Sequence, residues 1–230
     1  MDLLDKYFQL MQMHPEIFRN PDDEGVIRII TDRERILREQ AIIRKSLQAE
    51  GNPECWIDIG VLAEDSWSLI IRDLVEFPDG HVAGYVRWLN RRSQEGGSFN
   101  VVLMCVSGDQ VLLIRKFDHD ARDFGWEFPR GFGELGLSAE ENARKELEEE
   151  IGVTGATFHE LTTVYEGSGG TSVFLVEVPV DQQIKVDLSE AISAYRWVSK
   201  AELDQIVLHG QLRDHFSNWA YGLTKIRHIL

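Results

Sequence analysis

Apolar residues recur at helical spacing through the first fifty positions, with Leu4, Phe8 and Met11 on one stripe and Ile36, Ile43 and Leu47 on another. Thr31 followed by Glu34 reads as a capping box, and Gly51 stands where a helix would stop. The spacing therefore predicts a helix over about 32–50. From Trp56 the pattern changes to short runs rich in Val, Ile, Leu and aromatics. Runs 66–77 and 81–89 flank Pro78-Asp79-Gly80, and runs 101–106 and 111–117 flank Ser107-Gly108-Asp109, so each pair predicts a hairpin. Further strands are expected at 125–128, 157–165, 172–178 and 195–198. Ser138 with Glu141 and Ser199 with Glu202 cap two later helices, and Phe216, Trp219, Leu223 and Ile226 give the last helix an apolar face. Strands interleaved with helices in this way predict an α/β fold, a mixed sheet covered by helices. Residues 1–55 form a helical N-terminal extension and residues 56–230 the main domain.

Composition narrows the partners. A chain of 230 residues, 43% hydrophobic and 27% charged, is an ordinary globular protein able to bury one sizeable core. With 39 acidic against 24 basic residues the formal charge is −15, a surface that repels phosphate backbones and anionic lipid. Neither nucleic acid nor a membrane is an expected partner. Cys55 and Cys105 cannot build a disulfide framework, no run approaches the roughly 18 apolar residues of a membrane span, and the first residues carry acids where a secretory signal carries cations. A cytoplasmic location is the expectation.

The chemistry concentrates in residues 129–153. In the helix capped by Ser138, Ala143, Leu147 and Ile151 share the face to be buried, while Glu146, Glu149 and Glu150 share another. Those acids lie toward the helix C-terminus, where the macrodipole disfavours each anion by about 0.3–1 kcal/mol. A cation would relieve that cost, and a solvated acidic face countered by Arg144 and Lys145 is the alternative. Gly131, Gly133 and Gly136 let backbone approach a ligand, and Glu134 adds another oxygen donor. Hard oxygen donors gathered this way suit Mg²⁺ or Mn²⁺, which also bind substrate phosphates.

This stretch resembles the signature of the Nudix hydrolases, G-x5-E-x7-R-E-U-x-E-E-x-G-U, where U is a bulky apolar residue. Gly131 matches the opening glycine, Glu146 the glutamate after the arginine, Leu147 the apolar position, Glu149 and Glu150 the paired acids, and Gly152 and Val153 the end of a box at 131–153. Leu137 and Lys145 replace the first glutamate and the arginine. The chain is most similar to the ADP-ribose pyrophosphatase branch, through Trp126-Glu-Phe-Pro-Arg-Gly131, Trp197-Val198-Ser199 and Gly210-Gln-Leu-Arg-Asp214, with the likeness covering about 57–225.

The resemblance implies a Nudix-like α/β/α sandwich and a Mg²⁺- or Mn²⁺-dependent pyrophosphohydrolase. Its substrate would be a small nucleoside diphosphate derivative, ADP-ribose or a nucleotide sugar, and a homodimer is common in the branch. Glu134, Glu146, Glu149 and Glu150 would hold metal, with Glu149 and Glu150 catalytic. The loop after the box is Ser168-Gly169-Gly170, without the acid found there in the branch, which leaves Glu166 as the nearest substitute base. Arg115, Arg130 and Gly131 are the candidate substrate contacts, and Asp118 stands where the branch often has an arginine. Gly131-Phe-Gly-Glu-Leu-Gly136 also matches G-x-G-x-x-G, but the cap at Ser138 comes too late for a dinucleotide-binding helix. The rival reading keeps the fold and drops the catalysis, leaving a domain that binds a nucleotide as a sensor or scaffold.

Overall fold

The computed structural model describes residues 2–90, 98–166 and 169–229, without the side chains of Asn90 and Glu166. The chain divides into two compact units, Met1–Arg91 and Arg92–Leu230.

In the first unit, helices α1 (Leu3–Met13) and α2 (Arg33–Ala49) accompany strands β1 (Arg28–Ile29), β2 (Gly60–Glu64), β3 (Ser68–Glu76) and β4 (Val82–Asn90). Strands β3 and β4 form the expected hairpin from Ser68↔Asn90 to Glu76↔Val82, while β1 and β2 share the other edge of β3. Leu4, Tyr7 and Leu10 of α1 and Ile36 of α2 bury against Leu69, Ile71 and Leu74 of β3. The cap of α2 is Asp32, whose side chain accepts from Arg35 N, one residue beyond the expected Thr31. Inside this core the Tyr7 hydroxyl donates to Asp73 Oδ1 (2.5 Å) and Arg87 Nε donates to Asp73 Oδ2 (2.5 Å). These helices therefore close the core of the β2–β4 strands, and the division falls after Arg91 rather than at the expected 55/56 boundary.

The second unit carries strands β5 (Phe99–Ser107), β6 (Gln110–Asp118), β7 (Asp123–Glu127), β8 (Arg130–Gly131), β9 (Thr157–Glu166), β10 (Gly169–Glu177) and β11 (Ile192–Ser199). Its helices are α3 (Ala139–Ile151), α4 (Lys200–Leu208) and α5 (His215–Ile226). The sheet order is β11-β6-β5-β10-β9, and β10 runs parallel to β5 while the remaining pairs are antiparallel.

Alternate residues of each central strand feed two cores. Val101, Leu103 and Cys105 of β5 and Leu112 and Ile114 of β6 pack with Ala143, Leu147 and Ile151 of α3. Val102, Met104, Val111 and Leu113 pack with Leu203 and Ile206 of α4 and Ala220 of α5. Period-2 strands apolar on both faces need a helical layer on each, which makes this unit the expected α/β/α sandwich with a mixed sheet. Each Leu or Ile so buried contributes about 1.5–3 kcal/mol.

Two details position the site. The β5/β6 hairpin pairs only at Val106↔Val111 and Ser107↔Gln110, then splays. Into the gap comes the segment 123–131, which pairs first with β6 (Ile114↔Glu127) and then with β5 (Val101↔Gly131). On α5 the fully buried residues are Ser217, Ala220 and Thr224, with Trp219 and Leu223 beside them, whereas Phe216 and Ile226 of the expected face are exposed. Small residues let α5 approach closely, and Ser217 Oγ accepts from Phe128 N (2.9 Å) while donating to Asp214 Oδ2 (2.8 Å).

Candidate active site

Helix α3 starts at a capping box in which Ser138 Oγ accepts from Glu141 N and Glu141 Oε2 accepts from Ser138 N. It stops at Gly152, whose φ of 68° is the left-handed cap that a side chain would strain. Buried Asn142 donates through Nδ2 to Phe99 O (3.0 Å) and Phe132 O (3.2 Å), tying the loop before the helix to β5. With both ends fixed, Ala143, Leu147 and Ile151 face the core and the acids reach toward residues 130–131.

The three glutamates have unlike surroundings. Glu150 is 1% exposed, its Oε2 accepting from Arg130 N (2.9 Å) and its Oε1 from Lys116 Nζ (2.7 Å). Burial opposes charge on Glu150, and the Lys116 ammonium and the Arg130 N–H counter it. Burial also works against the Lys116 ammonium, but Glu150, Glu127 and Glu190 outweigh it and hold Lys116 above the usual lysine range. Glu149 is exposed and pairs with Lys145 (3.1 Å), whose ammonium also donates to Glu134 Oε1 (2.7 Å). That Glu134 bond leads the interactions that raise Lys145.

Glu146 differs from both. No hydrogen bond or ion pair among the described residues reaches it. Its carboxyl lies so close to Gly131 that a Cβ there would stand 1.8 Å from Cδ and about 2 Å from each oxygen. Partial burial, then Glu150 and Glu149, push its pKa to about 7. Among the described residues no group of three or more acids, histidines or cysteines is already gathered as a metal cage.

Beside the box lies a cleft of about 520 Å³, lined among others by Lys116, His119, Glu127, Arg130, Arg213 and Asp214. Arg130 Nε stands 3.1 Å from Asp214 Oδ1 and 3.8 Å from Glu127 Oε1. Neither Arg130 Nε nor Glu127 Oε1 has an aligned hydrogen-bond partner, although both atoms are buried. Burial raises Glu127 to about 7, with Arg130 pulling down and Asp214 pushing up. A buried polar set left unsatisfied at a cleft floor is suited to a ligand with its own donors and acceptors.

Of the residues singled out in the sequence, Glu150 meets Arg130 N, Glu146 lies against Gly131, and Glu149 and Glu134 meet at Lys145. Arg115 does not join them. Its guanidinium lies 3.9 Å from the Phe124 ring centroid and donates to Ser193 Oγ (3.1 Å), while its neighbour Lys116 faces the cleft. Consecutive strand residues point to opposite faces, so the residue that lines the cleft is Lys116. The backbone of Glu166 ends β9 opposite Gly169, and the Glu166 side chain and Ser168 lie outside the described residues. Lys116, Glu127 and Asp214 were not singled out as site residues. The resemblance of 126–131 and 210–214 to family motifs was the available signal for the last two.

Residues 96–220 match the model of the NUDIX domain. The crystal structure of an ADP compounds hydrolase shares the fold with a TM-score of 0.53, over 72% of this chain and 88% of that one, at 18% sequence identity. No curated protein matches the chain. No helix among the described residues is long and apolar enough to cross a membrane. With more than half of the sequence matched by the domain, the chain belongs to the Nudix family.

Proposed function

We propose that the protein is a divalent-cation-dependent pyrophosphohydrolase acting on a nucleoside diphosphate linked to a further group, with ADP-ribose or a nucleotide sugar as the substrate. The observation that carries this reading is the Glu146 carboxylate, seated against Gly131 beside Glu149 and Glu150 with no partner of its own among the described residues. Hard carboxylate oxygens placed this way fit Mg²⁺ or Mn²⁺. Glu146, Glu149 and Glu150, with Glu134 and the Arg130 carbonyl, would hold it once the lysines release Glu149 and Glu150. When bound, such an ion neutralises charge on the diphosphate and eases deprotonation of water.

The chain's own residues do the rest. Lys116, Arg130 and Arg213 line the cleft among the acids Asp118, Asp120, Glu127 and Asp214 and can donate to a phosphate, while Glu127 and Asp214 flank the Arg130 guanidinium. The Arg130 N–H fixes Glu150. Glu149, the exposed member of the three, can take a proton from the attacking water, and Glu166 is the second proposed acceptor. Hydrolysis of ADP-ribose would give AMP and ribose 5-phosphate.

A binding-only reading is favoured by one observation: Lys116 and Lys145 already neutralise Glu150 and Glu149. The two are separated by offering ADP-ribose, nucleotide sugars, dinucleoside polyphosphates and nucleoside triphosphates to the full chain with Mg²⁺, with EDTA, and as Glu146→Gln. Turnover of a diphosphate derivative that EDTA or Glu146→Gln removes supports the hydrolase. Calorimetric binding without turnover by the wild type supports the binding domain.

A further inference from the structure

Glu150 keeps one carboxylate oxygen on a backbone N–H and gives the other to a side chain that can leave. Its Oε2 is fixed by Arg130 N, whereas Oε1 is held by Lys116 Nζ at 2.7 Å, with Glu190 Oε2 at 3.7 Å from the same ammonium. Lys116 also lines the 520 Å³ cleft beside the box, so its flexible stem gives one ammonium access to both Glu150 and the cleft. An ammonium and a divalent cation cannot share Oε1 without like-charge repulsion at contact distance.

Resting on the hydrolase reading above, we propose that Lys116 is a tethered counter-ion. It occupies Glu150 in the ligand-free protein, competes with the divalent cation, and transfers to the ligand's diphosphate when cation and ligand bind together. Toward the cation Lys116 acts through Glu150. The consequence is reciprocal coupling: a diphosphate in the cleft draws the ammonium off Glu150 and tightens cation binding, and the cation tightens diphosphate binding by the same factor. Lys145 differs in kind, since it bridges Glu134 and the exposed Glu149 on the helix surface and does not line the cleft.

The test is Mn²⁺ binding by the full chain, followed by electron paramagnetic resonance. Lys116→Gln, which keeps a hydrogen-bond donor for Glu150, should bind Mn²⁺ at least about tenfold more tightly than the wild type, or about 1.4 kcal/mol. The gain in Mn²⁺ affinity caused by α,β-methylene-ADP, corrected for ion bound by the analogue in free solution, should be smaller in the variant than in the wild type. A purely structural role for Lys116 predicts weaker cation binding instead.

Equal or weaker affinity in Lys116→Gln overturns the tether while leaving the box as a cation site. Failure of both proteins to take up Mn²⁺ overturns the hydrolase reading and the tether with it. Should the variant not fold, nitrogen-15 spectra of the wild-type lysine ammonium groups replace it. The Lys116 signal, slowed in exchange by its pairing with Glu150, should shift or vanish as Mg²⁺ saturates the site, and an unchanged signal overturns the proposal.

Discussion

Gly131→Ala isolates the close approach on which the candidate site depends. A Cβ at this position would lie 1.8 Å from Glu146 Cδ, whereas ordinary contact begins at 3.4 Å, so the carboxyl must retreat by about 1.6 Å. The cost to folding is small. The displaced atoms are the free end of a flexible side chain, and Gly131 does not occupy the left-handed region, so stability should change by less than about 1 kcal/mol. The cost to chemistry is not small, because misplacing a catalytic constellation by about 1 Å loses on the order of a hundredfold in rate, or about 2.7 kcal/mol of transition-state stabilisation. The assay pairs urea unfolding with kcat/KM on whichever diphosphate derivative the wild type hydrolyses. An unfolding midpoint near wild type with activity lowered about a hundredfold is the expected result. Activity within about threefold of wild type would refute the assignment of Glu146, since its position would then not matter.

Three further outcomes follow from the same geometry. Tyr7→Phe removes the hydroxyl that donates to buried Asp73 and should lower stability of the first unit by about 1–3 kcal/mol, read from urea unfolding; a change below a few tenths would show that the Tyr7–Asp73 contact is unimportant. Ser138→Ala removes the cap of α3 and should cost about 1 kcal/mol, with hydrogen exchange rising first at residues 139–142. Glu127 and Glu146 have folded pKa values near 7, above the usual 4.5, so the native state holds more protons than the unfolded chain between those values. Their contribution to stability is fully present below about pH 4.5 and is lost as pH rises through 7. Glu127→Gln should flatten that decline in EDTA, and a wild-type slope in the variant would contradict the burial argument.

Much of the fold was legible because local chemistry and long-range packing agree. The Pro78-Asp79-Gly80 turn, both Ser-x-x-Glu capping boxes and the stripe of Ala143, Leu147 and Ile151 depend on neighbours within a few residues, and all stand as read. The miscast features depend on distant partners. Strand β6 is apolar on both faces from Val111 to Ile114, so no alternation in its sequence fixes whether Arg115 or Lys116 turns to the cleft. The last helix docks through Ser217, Ala220 and Thr224 because a close backbone approach and the Ser217–Phe128 bond decide its face, and hydrophobicity does not report either. Likewise, the runs 66–77 and 81–89 predict strands, yet nothing in them says that α1 and α2 supply their core. The helix acids were legible as a group. The counter-charge of Lys145 was legible as the solvated alternative, whereas the pairing of Glu150 with Lys116 was not, since it joins a helix to a distant strand.

On the proposed function, Glu146, Glu149 and Glu150 together would hold a divalent cation at the edge of the cleft. Crystals of the full chain soaked in Mn²⁺ with α,β-methylene-ADP test it through anomalous diffraction. The account predicts a peak within bonding reach of Glu146 and at least one of Glu149 and Glu150, with Lys116 Nζ moved from Glu150 to a phosphate oxygen. A saturating soak that leaves Glu146 without a peak, with Lys116 still on Glu150 and analogue bound in the cleft, would contradict it.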